Sequence, residues 1–215
     1  MASIPLKPEY GPSLGRILAP RWRAASRTAR AFVLVLCLAL AALLLGAGLT
    51  LENAHYAHGG PAPFSFSYRD LYRAAPPPGA YVEVRRPRGG PLVDSFAVSP
   101  LPLPPYTGSP QAELLIYANA YIAALRRRLS DFRLLGEGKT RVNTVPGYDV
   151  LYTARVQART MYGRDILLLP ERHHPAAGVA IAMLSLPGAE SQVTDPLLVG
   201  TTGVLELPIE TFVIH

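Results

Sequence analysis

Alternation of apolar and other side chains is the main signal in the second half of the chain. Tyr148, Val150 and Tyr152 occupy every second position after the Pro146-Gly147 turn. Successive side chains of a β-strand point to opposite faces of a sheet, so this period of two predicts a half-buried strand. Comparable patterns predict strands over residues 64–68, 81–86, 92–98, 161–169 and 178–184.

A helical period separates the first strands from the later ones. Apolar side chains that recur three or four residues apart share one face of an α-helix. In this chain they are Leu114, Ala118, Tyr121, Leu125 and Leu129. Ser109 and Pro110 suit the capping residue and the first position of such a helix. Strands, one helix and then an antiparallel meander predict an α+β fold in which the helix packs on a sheet face.

The longest uninterrupted apolar run covers residues 31–51 and contains no charged side chain. A helix of that length spans about 31 Å, close to the thickness of the hydrocarbon core of a bilayer. The run has no polar stripe of the kind that a soluble amphipathic helix carries. The pattern therefore predicts a single transmembrane helix over residues 31–51, acting as a signal anchor.

Basic residues precede the apolar run and predict its orientation. The residues expected at the membrane interface are Arg21, Trp22, Arg23, Arg27 and Arg30. The positive-inside rule then makes residues 1–30 a cytoplasmic tail and places the C-terminal part on the other side of the cell membrane. A cleaved signal peptide is the alternative, although its apolar region is usually only about 7–15 residues long.

The remaining chain divides into a linker and a domain. Residues 52–63 are polar, contain Gly59-Gly60 and show no periodicity, which is typical of a flexible linker. Residues 64–215 are long enough for one substantial core and are expected to form an extracytoplasmic α+β domain.

The charge distribution narrows the classes of function. The formal net charge is +6, but six basic side chains and one acidic side chain lie within residues 1–30. A nucleic-acid-binding domain carries its basic excess on the folded surface that meets phosphate, so nucleic acid is not expected as a partner. The single Cys excludes an internal disulfide framework and a zinc site of several thiolates, and no metal or cofactor is expected.

Charged residues concentrate on the strand that follows the predicted helix. Glu137, Lys139 and Arg141 alternate with small residues, so their side chains are expected on one strand face. The candidate binding surface is this charged strand face, with Arg155 included in it, together with Arg126, Arg127 and Arg128 beside it. An ordinary solvated sheet face is the simpler interpretation, and the three helical arginines also oppose the helix dipole favourably.

Candidates for catalysis are few. The chain contains no G-x-S-x-G, H-E-x-x-H, P-loop or G-x-G-x-x-G motif. The best constellation is His173-His174 with Glu171 nearby, but adjacent residues of an extended chain point to opposite sides. Pro170 and Pro175 flank these residues, so a surface turn is the simpler interpretation. A membrane-tethered hydrolase that uses His173 or His174 remains the alternative function.

The sequence from Leu92 to Leu184 resembles a known superfamily in the order of its elements. After the amphipathic helix, EGKTRVN turns through PGY into DVLYTARV, and YGRDILLLP and GVAIAML follow. This order resembles the PsbP-like α/β/α sandwich superfamily, of the DcrB and LpqN type. Its members are mostly non-enzymatic binding or assembly proteins, so the resemblance implies a sandwich fold with such a function.

These patterns together predict a single-pass membrane protein whose extracytoplasmic part is a binding or assembly module, with a non-enzymatic role expected. The expected partners are the lipid bilayer and an envelope protein. An accessory subunit of an envelope or secretion complex is a further alternative, for which large exposed apolar patches would be the sign.

Overall fold

The computed structural model describes residues 26, 28, 31–40, 53–103, 109–170 and 178–215. The chain divides into two units, Met1–Glu52 and Asn53–His215. In the first unit, residues 31–40 form helix α1. The helices of the second unit are α2 (Pro110–Arg128) and α3 (Glu206–Glu210), with 3₁₀ turns at Pro196–Leu198 and Gly203–Leu205. Its strands are β1 (Ala54–His58), β2 (Phe64–Tyr68), β3 (Tyr72–Ala74), β4 (Val82–Arg86), β5 (Asp94–Pro100), β6 (Ser130–Val142), β7 (Val145–Val156), β8 (Arg159–Leu168), β9 (Val179–Ser185) and β10 (Val213–Ile214).

The predicted membrane helix is contradicted. Within the described residues, no helix combines the length and the apolar character needed to cross a bilayer. Helix α1 is described over residues 31–40, and residues 41–51 of the predicted span lie outside the described part. The transmembrane helix over 31–51, the signal anchor, the single-pass cell-membrane location and the extracytoplasmic placement of residues 64–215 are therefore wrong as predictions.

The predicted N-terminal tail lies almost wholly outside the residues that the structure describes. This applies to each residue predicted at the membrane interface, namely Arg21, Trp22, Arg23, Arg27 and Arg30.

A seven-stranded antiparallel sheet is the centre of the second unit, with the strand order β3-β4-β5-β9-β8-β7-β6. Strands β6 to β9 follow one another as the predicted meander, and β9 pairs with β5 to join the two halves. The α+β class with an antiparallel sheet is therefore confirmed.

The helix-side core lies between α2 and one face of this sheet. It contains Leu114, Ala118 and Leu125, three of the residues predicted on the buried face of α2. The sheet contributes the alternate β7 residues Tyr148, Val150, Tyr152 and Ala154, so the period of two identified the correct face of this strand. Helix α2 begins as predicted, because the Ser109 Oγ accepts a hydrogen bond from the Ala112 N–H at 3.4 Å.

An aromatic core lies on the opposite face of the same sheet. It is rich in phenylalanine, and its fully buried rings belong to Phe64, Phe66, Phe96 and Phe212. A three-stranded sheet with the order β1-β2-β10 contributes to its covering layer. One prediction changes here. Residues 54–58, expected within a linker, form β1 because they pair with β2 over five residue pairs. Near the C-terminal end, α3 is followed by the short β10.

Candidate binding cleft

The hairpin of β6 and β7 determines where the predicted charged residues point. Glu137 lies opposite Val150, Lys139 opposite Tyr148, and Arg141 opposite Pro146. Directly opposite residues of an antiparallel pair share a face, and Tyr148 and Val150 belong to the helix-side core. The three charged side chains therefore lie together on the face that carries α2, beyond the area that the helix covers.

A cleft opens beside these residues, where the N-terminal part of α2 meets β6 and β7. We call it the edge cleft, and it is lined by Leu114, Lys139, Thr140, Arg141, Pro146, Gly147 and Tyr148. Its volume is about 130 Å³. A cavity of about 150 Å³ holds one benzene molecule, so the edge cleft accepts a group of the size of one side chain, whereas typical ligand pockets measure about 300–1,000 Å³.

The walls of the edge cleft differ in polarity. Leu114 and Tyr148 are 2% and 8% exposed and form apolar surface, whereas Lys139 and Arg141 are exposed. Burial raises the pKa of Tyr148, and the Glu137 carboxylate raises it further by its charge and by a hydrogen bond. Within the described part of the chain, neither Lys139 nor Arg141 forms an ion pair. The edge cleft therefore offers two uncompensated cations above an apolar floor.

The other predicted binding residues lie elsewhere. Arg155 belongs to the alternate set of β7 residues and points to the opposite sheet face, where its Nε lies 2.7 Å from the Asp131 Oδ2. Arg126, Arg127 and Arg128 form the last turn of α2, about 20 Å along the helix axis from the edge cleft. Arg126 lies over the Phe132 ring, with its Cζ 6.0 Å from the ring centroid. The structure thus brings together three of the seven predicted residues.

A buried polar cluster lies inside the helix-side core. Asp165 is 0% exposed, and its Oδ2 and Oδ1 accept hydrogen bonds from the hydroxyls of Tyr121 and Tyr152 at 2.8 and 3.1 Å. Burial raises the pKa of Asp165 to about 6, although the two tyrosine hydrogen bonds and the charge of Arg128 act in the opposite direction. Burial, together with Asp165, also holds the pKa of both tyrosines well above its usual value. Asp165 does not line the edge cleft, and its bonds fasten α2 to the sheet.

Another carboxylate, on the opposite face, is engaged by an arginine. The Arg164 guanidinium donates to both oxygens of Asp149, with Nη2 to Oδ2 at 2.8 Å and Nε to Oδ1 at 3.1 Å, and also to the Val199 carbonyl. This bidentate arrangement joins β7 to β8, and the bond to Val199 joins β8 to the segment that follows β9. The predicted catalytic candidates His173 and His174 lie outside the described residues.

A larger cavity of about 310 Å³ lies near α3. Its lining comprises Arg69, Asp70, Gln192, Gly203, Val204, Glu206 and Leu207. Arg69 has Asp70 as an ion-pair partner at 3.8 Å, and Glu206 adds a second acidic group. Because its one basic side chain is compensated, this cavity attracts an anion less strongly than the edge cleft does.

Sequence reasoning missed the apolar floor of the edge cleft and the Asp165 cluster. The hairpin turn carried a usable signal, because Val142 and Val145 flank two residues and fix the pairing of β6 with β7. From that register, Lys139 falls opposite Tyr148 and Arg155 falls on the other face. The contacts of Leu114 and Tyr121 depend on how α2 crosses the sheet, and no local pattern encodes that crossing.

Comparisons with known proteins were made by sequence and by structure. No protein-family model matches the chain, and no curated protein sequence matches it. The solved structures that match include cyanobacterial PsbP (CyanoP) from Synechocystis sp. PCC 6803, at 12% identity and a TM-score of 0.47 over 77% of this chain and 94% of that chain. The Saccharomyces cerevisiae Ran-binding protein Mog1p matches at 12% identity and a TM-score of 0.47, over 76% and 96% of the two chains. LpqN of Mycobacterium tuberculosis, involved in cell envelope biogenesis, matches at 12% identity and a TM-score of 0.46, over 76% and 91%.

At 12% identity and TM-scores below 0.5, these matches support no argument about the family of this chain, and the partners that their names state are properties of those proteins. The function of this chain is therefore argued from its own side chains.

Proposed function

We propose that the second unit is a protein-binding module that receives an acidic side chain of its partner in the edge cleft. The observation that carries the proposal is the pairing of two uncompensated cations, Lys139 and Arg141, with an apolar floor in a cleft of about 130 Å³. A carboxylate on a short apolar stem matches both the size and the polarity of this cleft. Hydrogen bonds to charged groups contribute about 1.5–3 kcal/mol, so one such contact supports recognition without a large pocket.

The neighbouring residues add selectivity to the proposed recognition. Glu137 lies beside the hydroxyl of Tyr148 and repels a second carboxylate placed at that end of the cleft. Arg141 lies opposite Pro146, farther from Glu137 along β6 than Lys139 does, so an incoming acidic side chain is oriented towards Arg141. A guanidinium binds a carboxylate in a bidentate manner, which makes Arg141 the main anchor.

The proposal is tested with a labelled hexaglutamate peptide as the probe. Fluorescence anisotropy measures its binding to the full chain at low salt, with hexalysine as the opposite-charge peptide. Arg141→Glu is expected to weaken hexaglutamate binding at least about tenfold, because it replaces an attraction of about 1.5 kcal/mol or more by a repulsion. Hexalysine is expected not to bind the wild-type cleft.

The matched control is Arg133→Glu, which makes the same change of charge on the same strand. Arg133 is exposed, but it pairs with Thr153 and points to the sheet face opposite the edge cleft. We expect this variant to bind hexaglutamate almost as the wild type does. Equal loss in both variants would show a diffuse charge effect, and absence of wild-type binding at low salt would remove the proposal.

A further inference from the structure

Strand β6 forms an exposed edge of the seven-stranded sheet. It has 13 residues, whereas the opposite edge, β3, has only 3. An edge strand presents unpaired backbone N–H and C=O groups that another strand can use. Charged side chains and bulges usually protect such an edge, and β6 has both, with a register shift between Leu134 and Gly136.

The charges of β6 are arranged so that they complement a second copy of the same strand. When two β6 strands pair antiparallel about a two-fold axis at Gly138, Glu137 of each copy lies opposite Lys139 of the other. Both side chains point to the helix-side face, so each opposite pair is on the same side of the combined sheet. Of the shifts by two residues, which preserve the faces, one places Glu137 against Glu137, and the other places Lys139 against Lys139 although it brings Glu137 opposite Arg141. The register centred on Gly138 is the one of these three that has no like-charge pair at positions 137 and 139.

The glycines of β6 are a second, independent observation. Gly138 does not have the positive φ angle that favours glycine, and a Cβ there would meet no atom of the described residues within 4 Å. Gly136 also lacks a positive φ, and a Cβ there would meet the Leu151 Cδ1 at an ordinary 3.8 Å. Glycine inside a strand weakens it and often marks a close approach by another backbone. Within one copy, nothing in the part of the chain that the structure describes requires glycine at the proposed two-fold axis.

We propose that the protein forms a symmetric dimer in which β6 pairs antiparallel with β6 of a second copy, centred on Gly138. The two seven-stranded sheets then form one continuous sheet. The two-fold axis is perpendicular to that sheet, so both α2 helices lie on the same side of it. In the dimer Lys139 is paired with Glu137 of the second copy, whereas Arg141 lies opposite Leu135 of the second copy. Arg141, the main anchor of the proposed function, therefore stays available to the edge cleft.

The test uses charge reversal and its compensation in the full chain. Sedimentation velocity over a range of protein concentrations compares the wild type with Glu137→Lys, Lys139→Glu and the double variant E137K/K139E. Each single variant converts two attractive pairs into two repulsive pairs, and we expect the dimer dissociation constant to rise about tenfold or more. The double variant restores opposite charges across the axis and is expected to dimerise as the wild type does.

A mixture of the two single variants gives the sharpest outcome. One variant then carries basic side chains at both positions 137 and 139, and the other carries acidic side chains at both. A heterodimer is therefore expected, although each variant alone is largely monomeric. A wild type that stays monomeric at every concentration overturns the proposal. So does a single variant that dimerises as tightly as the wild type, or a double variant that has wild-type circular dichroism but no dimer.

The proposed dimer and the proposed binding of an acidic group can be contradicted independently of each other. Arg141→Glu is expected to lose hexaglutamate binding and to keep the wild-type dimer dissociation constant within about threefold, because Arg141 faces an apolar residue across the axis. Loss of the dimer in this variant as well would contradict the register centred on Gly138.

Discussion

Asp165 joins α2 to the sheet through a buried carboxyl group, and ionisation of a buried carboxyl group is costly. Both tyrosine hydroxyls donate to it, which offsets part of the cost of removing a carboxylate from water. The offset is incomplete, because burial still raises the pKa of Asp165 to about 6. The folded protein therefore binds this proton more tightly than the unfolded chain, whose carboxyl has a pKa near 3.8.

This difference predicts the direction in which stability depends on pH. A raised folded-state pKa means that the contribution of Asp165 is greatest below about pH 4 and falls as pH rises towards about 6. A shift of about two pKa units corresponds to a fall of about 3 kcal/mol in the free energy of unfolding. Asp165→Asn is expected to remove this fall, as measured by urea unfolding between pH 4 and pH 7.

The Asp165→Asn experiment needs a control variant that changes a different carboxylate. Burial also raises the pKa of Asp94, so part of the pH dependence persists in Asp165→Asn, and the difference between variant and wild type is the quantity of interest. Asp131→Asn changes an exposed carboxylate that pairs with Arg155, and it is expected to retain the wild-type profile. An unchanged profile in Asp165→Asn would show that the buried carboxyl does not titrate in this range.

Gly163 on β8 is required by the ring of Tyr152. The two residues are direct cross-strand partners, and a Cβ at Gly163 would lie 2.2 Å from the Tyr152 Cε2. Gly163→Ala must therefore displace the ring whose hydroxyl donates to Asp165. We expect a loss of about 1–3 kcal/mol in the free energy of unfolding, the usual cost of overpacking. Gly136→Ala is the matched control and is expected to be nearly neutral, because its Cβ would make only an ordinary contact.

At the scale of elements, local periodicity predicted whatever depends on one strand or one helix. The alternation at Tyr148 and Val150 placed the correct side chains of β7 in the helix-side core. The helical spacing from Leu114 to Leu125 identified the buried face of α2. In both cases each apolar side chain repeats at the period of its own backbone, so no knowledge of a partner element is needed.

Pairing between distant segments explains what local patterns did not predict. β1 has mostly exposed side chains and a sequence without clear periodicity, but it pairs with β2 and packs Tyr56 against the aromatic core. His58 of the same strand lies against Tyr81 and Phe64, with ring centroids 4.2 and 5.1 Å apart. The grouping of Arg155 with Glu137 failed for a related reason, because a face can be assigned across two strands only when their register is known.

The prediction from the apolar run is wrong at this scale. Continuous apolarity over residues 31–51 predicted a membrane span, whereas no helix in the described residues meets the requirements for one.

At the scale of the whole second unit, the seven-stranded sheet packs against one core on each of its two faces. The aromatic core depends on segments from both ends of this unit, because β10 pairs with β2. The backbone N–H of His215 donates to the Pro63 carbonyl at 2.9 Å, and the Ser67 N–H donates to the Thr211 Oγ1 at 2.8 Å. These bonds hold the segment that carries Phe212 against the sheet, so the aromatic core closes only when the two ends meet.

Substitution of Phe212 therefore tests whether the two cores unfold together. Its ring is 2% exposed and lies 5.5 Å from the Phe64 ring, centroid to centroid, so Phe212→Ala is expected to lower the free energy of unfolding by about 3–5 kcal/mol. Leu125→Ala opens the helix-side core instead and is expected to cost about 2–5 kcal/mol. Val213→Ala, at a residue 44% exposed, is the neighbouring control and should change stability by less than about 0.5 kcal/mol.

The shape of the transition distinguishes one cooperative unit from two. Strands β7, β8 and β9 contribute side chains to both cores. Loss of one core therefore weakens the strands on which the other core also depends. Urea unfolding followed by circular dichroism should then show a single transition in each variant, displaced to lower urea with an unchanged slope. A separate early transition in Phe212→Ala would instead mean that the layer formed by β1, β2 and β10 detaches while α2 stays packed on the sheet.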